Sequence, residues 1–411
     1  MIFRMLFICS SLFLLTSTVV AENWTEFRGP SGQGHSSETG LPVEWSQTKN
    51  VVWNVKVPGK GWSSPIYLDG KLYLTTAVAQ RGKRQGLGVI CLDAKDGKMV
   101  WKKRLFKQRP DFIHKKNSHA SSTPITDGKR LFVHFGTHGT ACLSLSGKVI
   151  WKTTKLKYRT RHGNGGSPVL VNDLLVVACD GADVQYVVAL DQNNGKIRWK
   201  KKRHHTRFKK KFSFGTPLVI QVNGKTQIIS PGTSQVTAFD PKKGDEIWTV
   251  NYTGFSVIPR PVYANGLVII STSFMRPVLI AIDPTGKGDV TNSHISWQIK
   301  RGAPHTPSAL SVEKELYFVS DKGVATCVDT LSGKTHWVKR LGGNYSASPV
   351  YADGKIYFQS EQGDTTVIAP GKEYKAIAKS SLGEPTLASY AIADSAIFIR
   401  TEGQLYRIEK K

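Results

Sequence analysis

An all-β fold, an eight-bladed β-propeller of four-stranded antiparallel blades, is what this 411-residue sequence predicts, and three observations predict it. Seven tryptophans recur at near-constant intervals: Trp53, Trp101, Trp151, Trp199, Trp248, Trp297 and Trp337 are separated by 48, 50, 48, 49, 49 and 40 residues. A repeat of roughly 40–50 residues is the period of propeller blades. Six of these tryptophans close a common cassette, seen in CLDAKDGKMVW (91–101), ALDQNNGKIRW (189–199) and CVDTLSGKTHW (327–337). A proline opens an apolar run ahead of each cassette, at Pro65, Pro124, Pro168, Pro217, Pro261, Pro307, Pro349 and Pro385.

Taken in chain order, residues 1–21 read as a signal peptide. Arg4 gives a positive start, Leu6 to Leu15 is mostly apolar, and Val19-Val20-Ala21 suits cleavage after Ala21. The apolar run is short for a membrane span, and Cys9 lies inside it, not at a cleavage site. The expected product is soluble, monomeric, and periplasmic or secreted. Residues 22–49, ENWTEFRGPSGQGHSSETGLPVEWSQTK, are rich in Gly, Ser and Pro and read as an extended N-terminal strap. The propeller occupies residues 50–411 as one domain. Each proline-led run, such as SPIYLDGKLYL (64–74) or SPVYADGKIYF (348–358), is a hairpin of β-branched and aromatic residues around Asp-Gly. The cassette adds a third strand, a Gly-containing turn and a fourth strand ending near the Trp. In the seventh cassette, VIAPGKEYKAI (367–377), Ile377 falls where the Trp belongs. The eighth repeat stops before its outer strand, and NVVWNVKV (50–57) supplies the missing piece. The N-terminal strand thus closes the last blade, so that no sheet edge is left open between the ends of the array.

The seven recurring tryptophans are assigned a structural role, because indoles between neighbouring sheets bury a large area. Trp62 stands apart from them, just ahead of a strand opening. Cys91, Cys142 and Cys327 occupy the cassette position that Ala189, Ala238 and Ala281 fill elsewhere, so they read as small buried strand residues. Cys179 ends the apolar run LLVVAC. No CxxC or adjacent pair occurs, so neither a thiolate metal site nor a disulfide is predicted.

Charge is the stronger functional signal. Lys+Arg number 57 against 30 Asp+Glu, a formal net charge of +27, or +26 once the segment holding Arg4 is removed. So basic a domain implies an anionic partner or acidic surroundings. Loops after the second and fourth strands of a blade share one face, and turns after the first and third share the other. The second group is short, as at Asp69-Gly70 and Asp353-Gly354, whereas the first group is long and basic in the first three blades. Arg81, Lys83 and Arg84 lie there, with Lys107, Arg109, Lys115 and Lys116, then Lys155, Lys157, Arg159 and Arg161, then Arg203, Arg207, Lys209, Lys210 and Lys211. His114, His119, His138, His162, His204, His205 and His305 share that face. The anion-binding candidates are Arg81, Lys83, Arg84, Lys115, Lys116, Arg159, Arg161, Lys209, Lys210 and Lys211. Several such cations engaged together give an affinity that weakens with salt. Export and the absence of a stacking-aromatic pattern argue against nucleic acid.

Residues just ahead of the strand openings should ring the central funnel: Trp62, His119, Asn164, Phe214, Arg260, His305, Tyr345 and Glu384. With His162 added, Trp62, His119, Asn164, Arg260, His305 and Tyr345 form the ligand-binding candidates, at the concave mouth where small ligands bind. Asp180, Asp183, Asp321, Glu361 and Glu402 are spread over different blades and do not define a metal site. No catalytic residue is assigned. The sequence carries no triad pattern, no HExxH, no P-loop and no GxGxxG between strand and helix.

The cassette, approximately A/C-x-D-x-x-x-G-K-x-x-W, resembles the repeat of pyrroloquinoline-quinone-like (quinoprotein-type) β-propellers over about residues 50–411. The opening WTEFRGPSGQG (24–34), with LPVEW (41–45), looks like that of exported bacterial members of unassigned reaction. One branch, the quinoprotein dehydrogenases, implies PQQ and Ca²⁺ in the funnel, often with an adjacent-cysteine disulfide. This chain has no adjacent cysteines, and no acid matches the catalytic or calcium positions. A second branch, the outer-membrane barrel-assembly propeller, implies a non-catalytic scaffold that binds proteins through its loops. The reading that follows is an exported binding scaffold without a cofactor, its basic long-loop face directed at an envelope or extracellular protein or an anionic polymer. A PQQ/Ca-dependent dehydrogenase and an enzyme acting on acidic polysaccharide are the alternatives.

Overall fold

The computed structural model describes residues 22–203 and 211–411, and the leader reading of residues 1–21 lies outside them. Among the described residues eight sheets follow one another along the chain, seven of four antiparallel strands and one with a fifth strand added. Among the described residues the helical content is a single 3₁₀ turn, Gly136–His138. Val51–Lys56 pairs antiparallel with Gln404–Ile408, so the N-terminal strand is the outer strand of the eighth blade and the ring is closed. No helix among the described residues is long and apolar enough to cross a membrane.

Burial grades outward through each blade. In the first, Ile66–Leu68 is wholly buried at the hub, while Met99–Gln108 at the rim is largely exposed. The cassette explains how neighbouring blades dock. Its small residue lies directly across the sheet from the tryptophan: Cys91 opposite Trp101, Cys142 opposite Trp151, Ala189 opposite Trp199, Cys327 opposite Trp337. A β-bulge immediately after the small residue re-aims the outer strand. The indole N–H then donates to a turn carbonyl of the next blade, Trp101 to Leu145 at 3.0 Å and Trp151 to Gln192 at 2.8 Å. The cassette glycine sits beneath that indole. At Gly147 φ is +83°, and an added Cβ would stand 2.9 Å from the Trp101 ring. Only glycine meets both demands.

Two repeats depart from this plan. Residues 283–294 lengthen the fifth cassette, and Gly288–Asp289 from it adds a parallel strand to the fourth blade beside Trp248 and Thr249. Trp248 therefore donates to Gln227 Oε1 at 2.9 Å, and Gln227 passes the contact on to the Pro284 carbonyl. In the seventh blade Val367 pairs with Ala378, so Ala378 and not Ile377 stands in the tryptophan's place. The strap fills the space. Trp45 is buried and stacks on Tyr357 with centroids 6.4 Å apart, as Trp101 meets Tyr73 and Trp337 meets Tyr317 at 6.0 Å.

The prolines need a correction as well. A belt of hydrogen bonds runs round the hub in two arcs, each backbone N–H donating to the hydroxyl of the next blade: Ser64 to Thr123, Thr123 to Ser167 and Ser167 to Thr216, then Arg260 to Ser308, Ser308 to Ser348 and Ser348 to Ser389. Six prolines directly follow this belt position. Ala309 and Tyr390 occupy it in the sixth and eighth blades, so Pro307 and Pro385 lie ahead of the register. The place needs no backbone donor, which lets proline in without requiring it.

The strap crosses the short-turn face. Trp24 bridges to Tyr67, Arg28 donates to the Ala309 carbonyl at 2.7 Å, and Ser36 N–H donates to the Tyr351 carbonyl at 2.9 Å. Glu38 accepts from the backbone of Asp394 and Ser395. The strap thereby ties the first, sixth, seventh and eighth blades together over the axis. The four described cysteines are free and buried, and burial pushes the Cys91, Cys142 and Cys327 thiols up to about 12.

Candidate functional site

The hub encloses a cavity of about 730 Å³ that opens on the long-loop face. Its lower wall is the hydroxyl belt, Ser64, Thr123, Ser167, Thr216, Ser308, Ser348 and Ser389, and Phe27 of the strap contributes to its lining. Above the belt the walls differ by sector. The loops leading into and out of the fourth blade, with a hairpin of the fifth, supply Phe212, Phe214, Phe255 and Phe274. These rings touch in series, Phe212 to Phe255 at 5.7 Å and Phe255 to Phe274 at 5.2 Å, mostly edge to face. His162 meets Phe212 at 5.1 Å and His305 meets Phe274 at 6.1 Å, so an imidazole ends the aromatic run on each side. Such edge-to-face rings hold a fixed apolar surface.

The connections of the second and third blades bring Arg159, Arg161 and Lys211 to the same mouth, and Lys116 arrives from the loop before the second blade. Lys116 Nζ lies 2.6 Å from Glu361 Oε1, and Ser346 donates to the same oxygen. Asp321 is the one carboxylate among the described lining residues. It accepts from His305 N–H at 2.7 Å, Thr306 N–H at 3.2 Å and the Thr306 hydroxyl at 2.7 Å, which fixes the His305 loop.

Of the residues expected at the funnel, Trp62, His162, Phe214 and His305 line the cavity. His119 and Asn164 border a smaller adjoining void with Asp111 and His138. Burial pulls the His119 and His138 imidazoles below their usual range, and His138 Nε2 stands 4.0 Å from Asp111. Arg260 is buried against the strap, 2.8 Å from Glu26 and donating to the Phe27 carbonyl at 2.6 Å. Tyr345 belongs to the core cluster of the sixth and seventh blades. Glu384 accepts from Thr401 at 2.6 Å, from Tyr406 at 2.9 Å and from Gln404. The strand-opening residues therefore do not form one ring around the ligand space. His305 and Tyr345 both lie three residues ahead of their belt serines, yet one lines the cavity and the other is packed between blades.

Among the basic-loop residues, Lys116, Arg159, Arg161 and Lys211 reach the cavity. Lys115 is exposed beside it, and Arg81, Lys83 and Arg84 are exposed at the tip of the long hairpin Lys71–Gln80 and Arg84–Asp93. Arg203 turns inward, its guanidinium 2.7 Å from Asp180 in a fully buried pair. His204, His205, Arg207, Lys209 and Lys210 lie outside the described residues. Sequence reasoning passed over Phe212, Phe255 and Phe274. Their signal was a phenylalanine in each of the Gly/Ser-containing connections KFSFGTP, TGFSVIP and STSFMRP.

A calcium–quinone pair needs clustered oxygen ligands. The described lining does not fit one: its one carboxylate, Asp321, is committed to the His305 loop, and Glu361 behind Lys116 is held by that lysine and Ser346. Among the described residues, no group of three or more His, Cys, Asp or Glu is placed to hold a metal ion.

Comparison with known proteins agrees with the architecture. The family model described as outer membrane protein assembly factor BamB matches residues 35–206, 183–310 and 278–373. An outer membrane protein assembly factor BamB of Francisella tularensis is 23% identical over 214 residues, covering 50% of this chain and 41% of that protein. The match therefore spans less than half the length of the curated relative. Among solved structures, BamB from Moraxella catarrhalis superposes with a TM-score of 0.61 at 12% identity, over 87% of this chain and 99% of that one. A europium-containing methanol dehydrogenase superposes with a TM-score of 0.64 at 12% identity, over 94% and 98%. At such identities these likenesses speak for the fold alone.

Proposed function

From the premise that this chain belongs to the PQQ-repeat propeller family whose model carries the BamB description, we propose that it is an envelope binding scaffold presenting its long-loop face to a partner protein. One observation carries the reading. Loops from the second to fifth blades converge on an open hub and bring cations and phenyl rings to it, while the one carboxylate among its described lining residues is held by the neighbouring backbone. The opposite face is short turns crossed by the strap. A propeller of this kind offers one large, chemically distinctive surface and one closed one, which is the geometry of a docking platform. The export signal read at residues 1–21 and the naming of relatives as outer membrane assembly factors support an envelope setting.

The test is facial. A photo-crosslinking amino acid is placed at Arg161 on the loop face or at Lys129 on the turn face, and adducts are identified after irradiation in the intact cell. Adducts with defined envelope proteins from Arg161 and none from Lys129 are expected. Equal adducts from both faces, or none from either, would overturn the scaffold reading.

A further inference from the structure

Resting on that reading, we infer that the hub cavity takes a short acidic peptide segment carrying an aromatic side chain, contributed by the partner protein. The two walls ask for different chemistry at once. The phenyl wall is closed to water along Phe212 and Phe255 but continues outward. Phe274 is 52% exposed and Met275 is 62% exposed on one side of the mouth, and Phe112, 73% exposed, lies 6.1 Å from His162 on the other. Apolar surface that runs past the cavity rim fits a ligand larger than the cavity, and protein partners favour aromatic anchors set in such pockets.

The cationic wall sets the sign of the charge. Lys116 is engaged by Glu361, but neither Arg161 nor Lys211 has a carboxylate partner among the described residues. Both sit beside the phenyl sector: Lys211 directly precedes Phe212, and Arg161 directly precedes His162, whose ring meets Phe212 at 5.1 Å. A segment with an acidic side chain next to an aromatic one therefore meets both walls without bending back on itself. Beneath, the belt hydroxyls of Thr123, Ser167 and Thr216 accept the backbone N–H of Ser64, Thr123 and Ser167 in turn, each from the blade before, and keep an O–H to donate to a peptide carbonyl.

The same features weigh against other anions. An acidic glycan can set its C–H faces against a phenyl ring, but it carries no aromatic anchor for the apolar surface that runs on through Phe274, Met275 and Phe112. A lipid needs an apolar path for its acyl chain, and the belt at the bottom of this cavity is hydroxylic.

The experiment is fluorescence anisotropy with a labelled ten-residue peptide holding one Phe between Asp and Glu residues. Two companions change one property each: Phe to Ala with the acids kept, and acids to Asn and Gln with the Phe kept. The expected result is saturable binding of the first peptide, at least tenfold weaker binding of either companion, and weakening as salt rises. Phe274→Ser and the double variant Arg161→Ser/Lys211→Ser should each lose about tenfold, while Lys129→Ser on the turn face binds as the parent does. Because Phe274 and Arg161 are exposed and Lys211 is partly so, the variants are expected to keep the parental melting temperature, which is measured alongside. Equal binding of the Phe-to-Ala peptide, no binding of the first peptide, or its displacement by a uronate oligosaccharide at equal concentration would each overturn the inference. Loop-face crosslinks that persist alongside a failed peptide titration would leave the scaffold reading standing and remove only this one.

Discussion

His134 shows what a single residue of the core commits the protein to. Its ring lies fully buried, with Nδ1 2.9 Å from the Thr140 hydroxyl and Nε2 3.2 Å from Tyr158. Burial, with the like charge of His138 added, pulls its pKa down to about 3. An unfolded chain takes up that proton near pH 6.5, whereas the folded one refuses it. Above pH 6.5 the residue therefore contributes nothing to pH dependence, and as pH falls below 6.5 stability is lost, by up to about 1.4 kcal/mol per pH unit. Denaturant unfolding at pH 7 and pH 5 should show this loss, and His134→Asn should reduce the drop by roughly 2 kcal/mol even though it is less stable at pH 7. An unchanged slope between the two pH values would refute the assignment. At this scale the sequence was a good guide to structural residues: the Cys/Ala position and the Trp proved to be cross-strand partners. It was a poor guide to Arg260 and Tyr345. Which way a loop side chain turns depends on the neighbouring blade, and that is not written in the local sequence.

The element scale accounts for both the success of the repeat reading and its errors. Hairpin patterning and cassette spacing placed eight sheets, because strand period and turn chemistry are local. Register is less local. Ile377 was expected at the docking site because it holds the cassette spacing, but the bulge after Val367 brings Ala378 there. The indole comes instead from Trp45 of the strap, stacked on Tyr357. Trp45→Ala should then cost as much as removing a repeat tryptophan such as Trp101, about 3–5 kcal/mol. Placing Ala378→Trp in the Trp45→Ala background should recover part of that loss. Thermal or denaturant unfolding measures both. A loss under about 1 kcal/mol for Trp45→Ala would mean that the strap merely covers the seventh blade.

At the scale of the whole molecule, the two faces are made different by one segment. The strap reaches the axis with Glu26, Phe27 and Arg28, and there Arg260 holds Glu26 at 2.8 Å while donating to the Phe27 carbonyl. Burial raises the Glu26 carboxyl pKa, and the charge and hydrogen bond of Arg260 oppose that rise. Burial, with the like charge of Arg260, lowers the pKa of the buried Arg28 guanidinium. Glu26 thus pairs with Arg260 alone, while Arg28 donates to the Gln33 and Ala309 carbonyls nearby. Glu26→Gln removes the carboxylate partner of the buried Arg260 and leaves its charge opposed by that of Arg28, a loss of about 3 kcal/mol by the usual cost of breaking a buried pair. The blades themselves pair through their own strands, so the β-sheet circular dichroism at 25 °C should stay as it was. What should change is the strap: protease cleavage within residues 22–49 should accelerate in Glu26→Gln, and a hydrophobic dye should gain access to the hub from the turn face. None of this was legible in a Gly- and Ser-rich stretch, because the partner of Glu26 lies more than two hundred residues away and meets it only when the ring has closed. Cleavage at the parental rate in the variant would show that the crossing is held by Trp24 and Trp45 packing alone, and that the axial charges are passengers.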